Sequence, residues 1–348
     1  MPTIDAIVLD EWGGDLTVQT VERPDPGPEE VRVDVRACGV TRTIENAVQG
    51  GLSDDTDLVP RIPGHEFAGV VEEVGSGVTN VAVGDRVLAY FYLTCGHCDR
   101  CRRGDTNQCT NFGGWIGVHC DGAYAESTVL PAANVLPLPD AASFAEGAIA
   151  ADGLATPLHV CERTDVGDED TVLVIGAAGR IGVHLAQLAA LRGAHVLAAD
   201  ISDERLAHVD AVTPNSVKPI DARGEDFPER VNDATPHSHG PTVVVDTVGK
   251  LETIRDAWTA MGMGGDLVTL TTHHGHSFDP LLAEFVEKEA RIVGSRHATK
   301  DEVVRAARLL ADGRVDVDYT DSTTLEGVPD VHRALRAGET HGTTILKP

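Results

Sequence analysis

Four cysteines of this 348-residue chain lie within fifteen consecutive residues. They are Cys95, Cys98, Cys101 and Cys109, with two, two and seven residues between successive thiols. Thiolates at such short spacing can surround Zn²⁺ tetrahedrally at about 2.3 Å, and the Gly and Arg residues between them suit a loop folded around a metal. Four sulfur ligands leave no open coordination position, so we predict a structural zinc. A pair of local disulfides or free thiols is the alternative.

A glycine-rich turn in the middle of the chain follows an apolar run. The run, Thr171–Ile175, is typical of a buried parallel strand. The turn has the sequence GAAGRIG, and its predicted cofactor-binding residues are Gly176, Gly179, Arg180, Ile181 and Gly182. Glycines let the backbone approach a pyrophosphate, and the N-terminus of the following helix supplies amide donors. A turn of purely structural use is the alternative.

The elements after the turn complete the pattern of a dinucleotide-binding unit. An Ala- and Leu-rich stretch, residues 183–191, predicts a helix, and residues 194–199 predict a second strand that ends at Asp200. An acid in this place hydrogen-bonds the adenosine ribose and repels a 2′-phosphate, which favours NAD over NADP. Arg205, five residues further on, offsets part of that repulsion.

Further apolar runs predict the fold class, α/β with two kinds of domain. Runs at residues 242–246, 266–270 and 291–294 predict a doubly wound parallel sheet, a Rossmann domain over residues 154–295. Short Val-rich runs at residues 31–37, 69–74 and 86–90 alternate with Gly and Pro, which predicts a mainly β domain over residues 1–153. Residues 296–348 begin with helical periodicity at 301–311, and we expect them to return to the first domain.

The charge of the chain is strongly negative. There are 55 acidic residues against 28 Lys and Arg, a net charge of −27, and the acids are dispersed along the chain. Nucleic acids and anionic membranes would be repelled. Molar salt would screen the self-repulsion, so we expect a halophilic protein in a salt-rich cytoplasm. The apolar runs are too short for a transmembrane span, and the N-terminus does not resemble an export signal.

Six motifs occur in an order that resembles a known family. They are PGHEFAGVV around residues 64–66, VGDRV at 83–87, the four cysteines, GAYAE at 122–126, the glycine turn, and DTVG at 246–249. Together they resemble the zinc-containing medium-chain dehydrogenase/reductase family of the alcohol dehydrogenase type. The resemblance implies a GroES-like catalytic domain, a cleft between the two domains, and a homodimer or homotetramer. It also implies zinc-assisted hydride transfer between NAD(P) and a small-molecule substrate, an alcohol, polyol or sugar.

The resemblance also implies which residues form the catalytic site. His65 matches the family's histidine ligand of the catalytic zinc, Glu66 matches the acid beside it, and Asp152 stands at a ligand cysteine. Thr43 matches the hydroxyl residue that passes a proton from the substrate. The other ligand cysteine is replaced by Thr41, a poor zinc ligand.

Three hypotheses follow for the catalytic site. In the first, His65, Glu66 and Asp152 hold the metal, with Thr41 or water completing the shell. In the second, Cys38 supplies the missing thiolate. In the third, no catalytic metal binds, and the chain is an enoyl or quinone-type reductase. An NAD-binding relative without catalytic activity is a fourth possibility. Three histidines at positions 273, 274 and 276 are interpreted as polar loop residues, with substrate contact as the alternative.

Overall fold

Residues 2–214, 216–271, 277–317, 319–340 and 342–348 are described by a computed structural model. The chain divides into two units. Unit 1 comprises Met1–Ala155, Ala298–Gly313 and Tyr319–Pro348, and unit 2 comprises Thr156–His297 and Arg314–Asp318. The predicted histidines 273, 274 and 276 lie outside the described residues.

The strands and helices alternate differently in the two units. The strands are β1 (Thr3–Leu9), β2 (Leu16–Glu22), β3 (Glu30–Val40), β4 (Phe67–Val74), β5 (Arg86–Ala89), β6 (Ser127–Pro131), β7 (Val135–Pro137), β8 (Thr171–Ile175), β9 (His195–Asp200), β10 (Val217–Asp221), β11 (Val243–Asp246), β12 (Asp266–Thr269), β13 (Arg291–Gly294), β14 (Tyr319–Thr323) and β15 (Thr343–Leu346). The helices are α1 (Arg42–Val48), α2 (Asp99–Arg102), α3 (Phe144–Ile149), α4 (Ala155–Arg163), α5 (Arg180–Leu191), α6 (Asp203–Val212), α7 (Phe227–Ala234), α8 (Leu251–Ala260), α9 (Leu282–Glu287), α10 (Lys300–Ala311) and α11 (Val328–Ala337).

Unit 1 is built around a mainly antiparallel sheet. Its strand order is β14-β15-β3-β4-β5-β7, and β6 also pairs with β3. The long strand β3 is central because one end pairs with β6 while the other end, at Cys38, lies opposite Leu346 of β15. The three Val-rich runs form β3, β4 and β5, so the predicted mainly β character of this part is confirmed.

Unit 2 is a six-stranded parallel sheet. Its order, β10-β9-β8-β11-β12-β13, is that of a doubly wound dinucleotide-binding fold, so the predicted fold class is confirmed. Every residue of β8 and β11 is buried, because helices cover both faces of such a sheet. Helix α5 starts at Arg180, three residues before the predicted start, because Gly179 is its N-cap.

The C-terminal residues add two elements that concern the site. Helix α10 starts with a capping box, in which Thr299 and Glu302 each accept a hydrogen bond from the other's backbone amide. Strand β15 pairs antiparallel with β3, which places Ile345 opposite Gly39. Within the described part of the chain, no helix has both the length and the apolar character needed to cross a membrane.

Candidate active site

His65 and Glu66 directly precede β4, and a tight backbone turn presents them. Gly64 before them has a φ of +99°, and a Cβ atom there would lie 2.5 Å from Cδ1 of Tyr124. Only glycine fits this close approach. The imidazole of His65 packs edge-on against the ring of Phe91, with 4.4 Å between centroids. Both His65 and Glu66 are buried.

Asp152 lies near His65, in a stretch where the helix changes from α-helical to π-helical. It lies in a π-helical turn, Ala150–Leu154, between α3 and α4. Such turns add a residue to the helix and often occur at functional sites. The Oδ2 atom of Asp152 lies 3.7 Å from Nε2 of His65, and Oε1 of Glu66 lies 3.3 Å from the same nitrogen. One ligand atom from each residue fits within 4.8 Å of the others.

This buried cluster has the chemistry of a divalent metal site. Burial opposes the charged imidazolium, but Asp152 and Glu66 outweigh that effect and raise the pKa of His65. Both nitrogens of His65 lack a hydrogen-bond partner of good geometry, although they have no access to solvent. A buried imidazole nitrogen without a hydrogen bond is costly, and a Zn²⁺ ion bound by His65 and the two carboxylates would offset that cost. The residues therefore fit the metal that the sequence predicts.

Thr41 does not present a free ligand to the cluster. It is the buried N-cap of α1, and its Oγ1 accepts a hydrogen bond from the amide of Ile44 at 3.3 Å. Thr43 is the second residue of α1, two positions after Thr41, and its side chain is exposed. The thiol of Cys38 is buried but is not part of the cluster, and burial raises the pKa of Cys38 well above its usual value.

The four cysteines form a second cluster. Their sulfur atoms all lie within 4.8 Å of one another, with 3.5 Å between Cys95 and Cys109. Tetrahedral Zn–S bonds of about 2.3 Å would place the sulfurs about 3.8 Å apart, which is the same range. All four thiols are free. Backbone amides donate hydrogen bonds to these sulfur atoms. The amide of Cys101 donates to Sγ of Cys98 at 3.5 Å and lowers the pKa of Cys98 to about 5.

The glycine turn has the close approaches that a cofactor phosphate needs. Gly176 has a φ of +80°, and a Cβ atom there would lie 2.6 Å from Oγ1 of Thr247. A Cβ atom on Gly182 would lie 2.4 Å from the carbonyl oxygen of Gly176. Gly179 caps α5, so Arg180 and Ile181 form the first turn of that helix. Their amides belong to the helix N-terminus that would face a pyrophosphate.

Asp200 ends β9 beside this turn. It is buried, and its two carboxylate oxygens accept hydrogen bonds from the amides of Ala178 at 3.2 Å and Ile201 at 2.8 Å. The carboxylate is thus fixed next to the backbone of the glycine turn. Arg205 lies in the first turn of α6, which begins with the N-cap Ser202.

Sequence reasoning assigned no role to two further residues, Phe91 and Glu45. Phe91 follows β5 and supports the imidazole ring. Glu45 of α1 is buried, with 2% of its surface exposed, and pairs with His332 and Arg336 of α11. The resemblance gives a signal for Glu45, because the family has an acid at the position of Ile44 and this chain has Glu45 one residue later. Its partners lie almost 300 residues away, so no local pattern could identify them.

Comparisons with known proteins agree with this geometry. A family model described as "Alcohol dehydrogenase GroES-like domain" matches residues 27–140, and one described as "Zinc-binding dehydrogenase" matches residues 181–312. An alcohol dehydrogenase of Geobacillus stearothermophilus is 30% identical over 98% of this chain and 99% of its own length. L-galactonate-5-dehydrogenase of Escherichia coli (strain K12) is 30% identical over 91% of this chain and 90% of its own.

A solved structure shows the same fold over the whole chain. The crystal structure of an NAD-dependent alcohol dehydrogenase matches with a TM-score of 0.90 and 30% identity, covering 99% of each chain. The two metal-ligand clusters and the dinucleotide-binding sheet are thus found in a chain that aligns end to end with dehydrogenases. The chain belongs to the zinc-containing alcohol dehydrogenase family of medium-chain oxidoreductases.

Proposed function

We propose that this protein is an NAD-dependent dehydrogenase that transfers a hydride between a small alcohol, polyol or sugar and the nicotinamide. The observation that carries the proposal is the buried cluster of His65, Glu66 and Asp152, whose ligand atoms fit within 4.8 Å of one another. An imidazole and two carboxylates form a plausible protein shell for a catalytic Zn²⁺, which must keep a position open for the substrate.

Each side chain has a distinct task in this proposal. A metal bound here supplies Lewis-acid chemistry, which lowers the pKa of the substrate hydroxyl. His65, Glu66 and Asp152 hold it, and Phe91 fixes the plane of the imidazole by edge-on packing. The exposed hydroxyl of Thr43 would relay the proton, donating its own proton to water as it receives the proton of the substrate hydroxyl. The family often has a histidine that continues this relay, and this chain has Asn46 at that position, so the proton would pass from Thr43 directly to water.

The cofactor proposal rests on Asp200. Its carboxylate is held by two backbone amides at the end of β9, where it would meet the adenosine ribose. A fixed negative charge at this position repels a 2′-phosphate, so NAD is the proposed cofactor and NADP the poorer one. The glycine turn from Gly176 to Gly182, including Arg180 and Ile181, would bind the pyrophosphate through backbone amides.

The four-cysteine cluster is proposed to hold a structural zinc. Four sulfur ligands complete a tetrahedral shell, so no position is left for a substrate. Four neighbouring thiols that form no disulfide suit a reducing compartment and support a cytoplasmic location. The net charge of −27 supports the absence of nucleic-acid and membrane partners.

One observation favours a second candidate function. The hydroxyl of Thr41 is engaged in capping α1, so the site has one fewer strong ligand than the family pattern provides. A site that binds no catalytic metal would suit the reduction of an alkene conjugated to a carbonyl, which needs only hydride and proton donors. The metal content of the purified protein separates the two functions.

The test is a metal analysis combined with an activity screen. We expect two metal ions per chain, falling to one in Asp152→Ala, and chelator-sensitive NAD reduction at molar KCl with alcohols, polyols or aldoses. The matched control is Asp266→Ala, which also removes a buried acid but one that pairs with Arg291 at 2.5 Å. It should keep both metals. A single metal per chain that Asp152→Ala leaves unchanged would exclude the proposed site.

Assembly is proposed to involve the edge of the unit 2 sheet. Strand β13 ends the strand order, and its Ile292 is 45% exposed. Helix α9, which precedes β13 in the chain, exposes Leu282 and Val286, also large apolar residues. Exposed apolar side chains and an open edge strand are typical features of a protein–protein interface. Light scattering should give at least the mass of a dimer for the native protein and of a monomer for Ile292→Lys; a monomeric native protein contradicts the proposal.

A further inference from the structure

A buried row of hydrogen bonds links three distant segments of unit 1. The hydroxyl of Tyr124 lies 3.2 Å from Nε2 of His332, and Nδ1 of His332 lies 2.6 Å from Oε2 of Glu45. All three residues are at least 98% buried. The residues come from the GAYAE segment, α11 and α1, so their meeting is a property of the tertiary fold alone.

The charges in the row set the direction of its hydrogen bonds. Arg336 donates to the second oxygen of Glu45 at 2.8 Å. Burial tends to raise the pKa of Glu45, but hydrogen bonds from His332 and Arg336 outweigh it and lower the pKa, so this carboxylate is ionised. An ionised carboxylate only accepts, so Nδ1 of His332 carries the proton. In the neutral imidazole the opposite nitrogen, Nε2, has no proton and accepts the hydrogen bond of the Tyr124 hydroxyl.

The far end of the row touches the backbone that carries the metal-binding cluster. The ring of Tyr124 fills the space beside Gly64, the residue before His65. The backbone is tied at the same place, since the amide of Ala123 donates to Gly64 at 3.0 Å and that of Tyr124 to Pro63 at 2.9 Å. A rotation of the Tyr124 ring would therefore move the turn that presents His65.

The same hydroxyl faces the start of α1. Burial raises the pKa of Tyr124 well above its usual value, and a hydrogen bond from the backbone amide of Thr41 acts in the opposite direction. The oxygen of Tyr124 therefore lies between His332 and the residue that occupies the position of the missing ligand cysteine. Glu45 and Thr43 lie in α1 and Thr41 is its N-cap, so the row contacts this helix and its cap at two points.

We propose that Glu45 and His332 are positioning residues, which act through Tyr124 to hold His65 and the start of α1 in the geometry that the reaction needs. The inference rests on the proposed function. It differs from a purely structural role, in which the row would stabilise the fold without affecting the cluster.

The experiment compares two buried tyrosines of unit 1. Tyr124→Phe removes only the hydroxyl that bonds His332. Tyr90→Phe is the matched control, because Tyr90 is equally buried and its hydroxyl bonds the carbonyl oxygen of Ala298 at 3.0 Å and Oγ1 of Thr106 at 3.0 Å. Two quantities are measured at molar KCl: kcat and KM for the alcohol, and the rate at which a chelator removes the more weakly held metal without substrate.

We expect Tyr124→Phe to lower kcat about tenfold, with KM within about twofold, and to speed metal release about tenfold, because small displacements of catalytic groups reduce rates steeply. Tyr90→Phe should lower the melting temperature similarly and leave both quantities within about twofold of the native values. Equal effects of the two substitutions on kcat and metal release, or no effect of Tyr124→Phe on either, would overturn the inference.

A second set of variants keeps the test decisive if Tyr124→Phe folds poorly. His332→Gln retains a hydrogen-bonding amide, whereas His332→Leu retains none, so Gln should recover much of the kcat lost with Leu. The effects of Tyr124→Phe and His332→Leu on kcat should also be non-additive, because both break one row. Full additivity, or equal loss with Gln and Leu, contradicts the inference. A native protein with one metal and no alcohol turnover would instead sink the proposed function.

Discussion

Thr41 shows how one substitution changes the task of a position. A cysteine there would supply a thiolate to the metal, whereas the threonine supplies a helix cap through the hydrogen bond from the Ile44 amide. Threonine is a good N-cap and a poor zinc ligand. The metal would then be held mainly by oxygen atoms from Glu66 and Asp152. An oxygen-rich shell binds Zn²⁺ less tightly than one with thiolates and admits other divalent ions.

This argument predicts the effect of Thr41→Cys. The added thiolate should bind the metal beside His65 and slow its removal by a chelator about tenfold or more. The loss of the threonine cap should lower the free energy of unfolding by about 1 kcal/mol. Thr41→Ser, which keeps the hydroxyl, should change neither quantity appreciably. Chelator kinetics and thermal unfolding measure the two effects, and unchanged metal release in Thr41→Cys would show that position 41 does not face the metal.

At the scale of elements, the sequence predicts those strands that a short apolar run of the chain determines locally. Thr171–Ile175 and Arg291–Gly294 form strands with the predicted bounds, because short apolar runs bounded by turn residues pack into a parallel sheet. Helix α1 is not predicted, since its seven residues have no repeating apolar face. The π-helical turn at Ala150–Leu154 also has no signal of its own. The pairing of Glu45 with His332 depends on chain packing over long range, which no window of sequence contains.

The segment that carries the four clustered cysteines, residues 95–109, is called the cysteine lobe here. Its effect on stability can be measured separately from catalysis. Helix α2 begins at the N-cap Cys98, and the adjoining turn meets α10, where the amide of Lys300 donates to Thr106 at 3.0 Å. The lobe therefore fastens α10 within unit 1. Loss of its zinc should act on stability, because metal binding to such a loop contributes directly to folding.

We accordingly predict that Cys98→Ser removes one zinc per chain and lowers the melting temperature by about 10 °C, since it deletes a thiolate from a structural site. At temperatures well below melting, kcat should stay within about twofold of the native value. Cys120→Ser is the control, because that thiol lies outside the cluster and burial raises its pKa to about 11. Calorimetry, metal analysis and activity assays provide the readouts. A large loss of kcat with an unchanged melting temperature would show that the cysteine lobe takes part in catalysis.

At the scale of the whole molecule, charge is the dominant feature. Some arginines pair with more than one acid: Arg32 pairs with Asp25, Glu72 and Glu73, at 3.4, 3.1 and 2.6 Å. A net charge of −27 on one chain repels itself in dilute salt and destabilises the compact state. Exposed ion pairs contribute little in compensation, commonly below about 1 kcal/mol each. The net effect of repulsion and ion pairs on stability depends on the distance over which the charges interact through the solvent.

Salt should therefore stabilise this protein, in contrast to one held together by attractive surface pairs. The screening length falls from about 10 Å at 0.1 M to about 3 Å at 1 M salt, which removes most repulsion between exposed acids. We expect the melting temperature to rise by about 10 °C between about 0.1 M and 2 M KCl.

Salt also strengthens apolar burial, so a variant must separate this effect from the screening of the acids. Neutralising four exposed acids, Glu11, Asp54, Glu225 and Glu229, by Gln or Asn should raise stability at low salt and reduce the salt dependence. If native protein and variant respond equally to KCl, repulsion among the acids is not what the salt relieves.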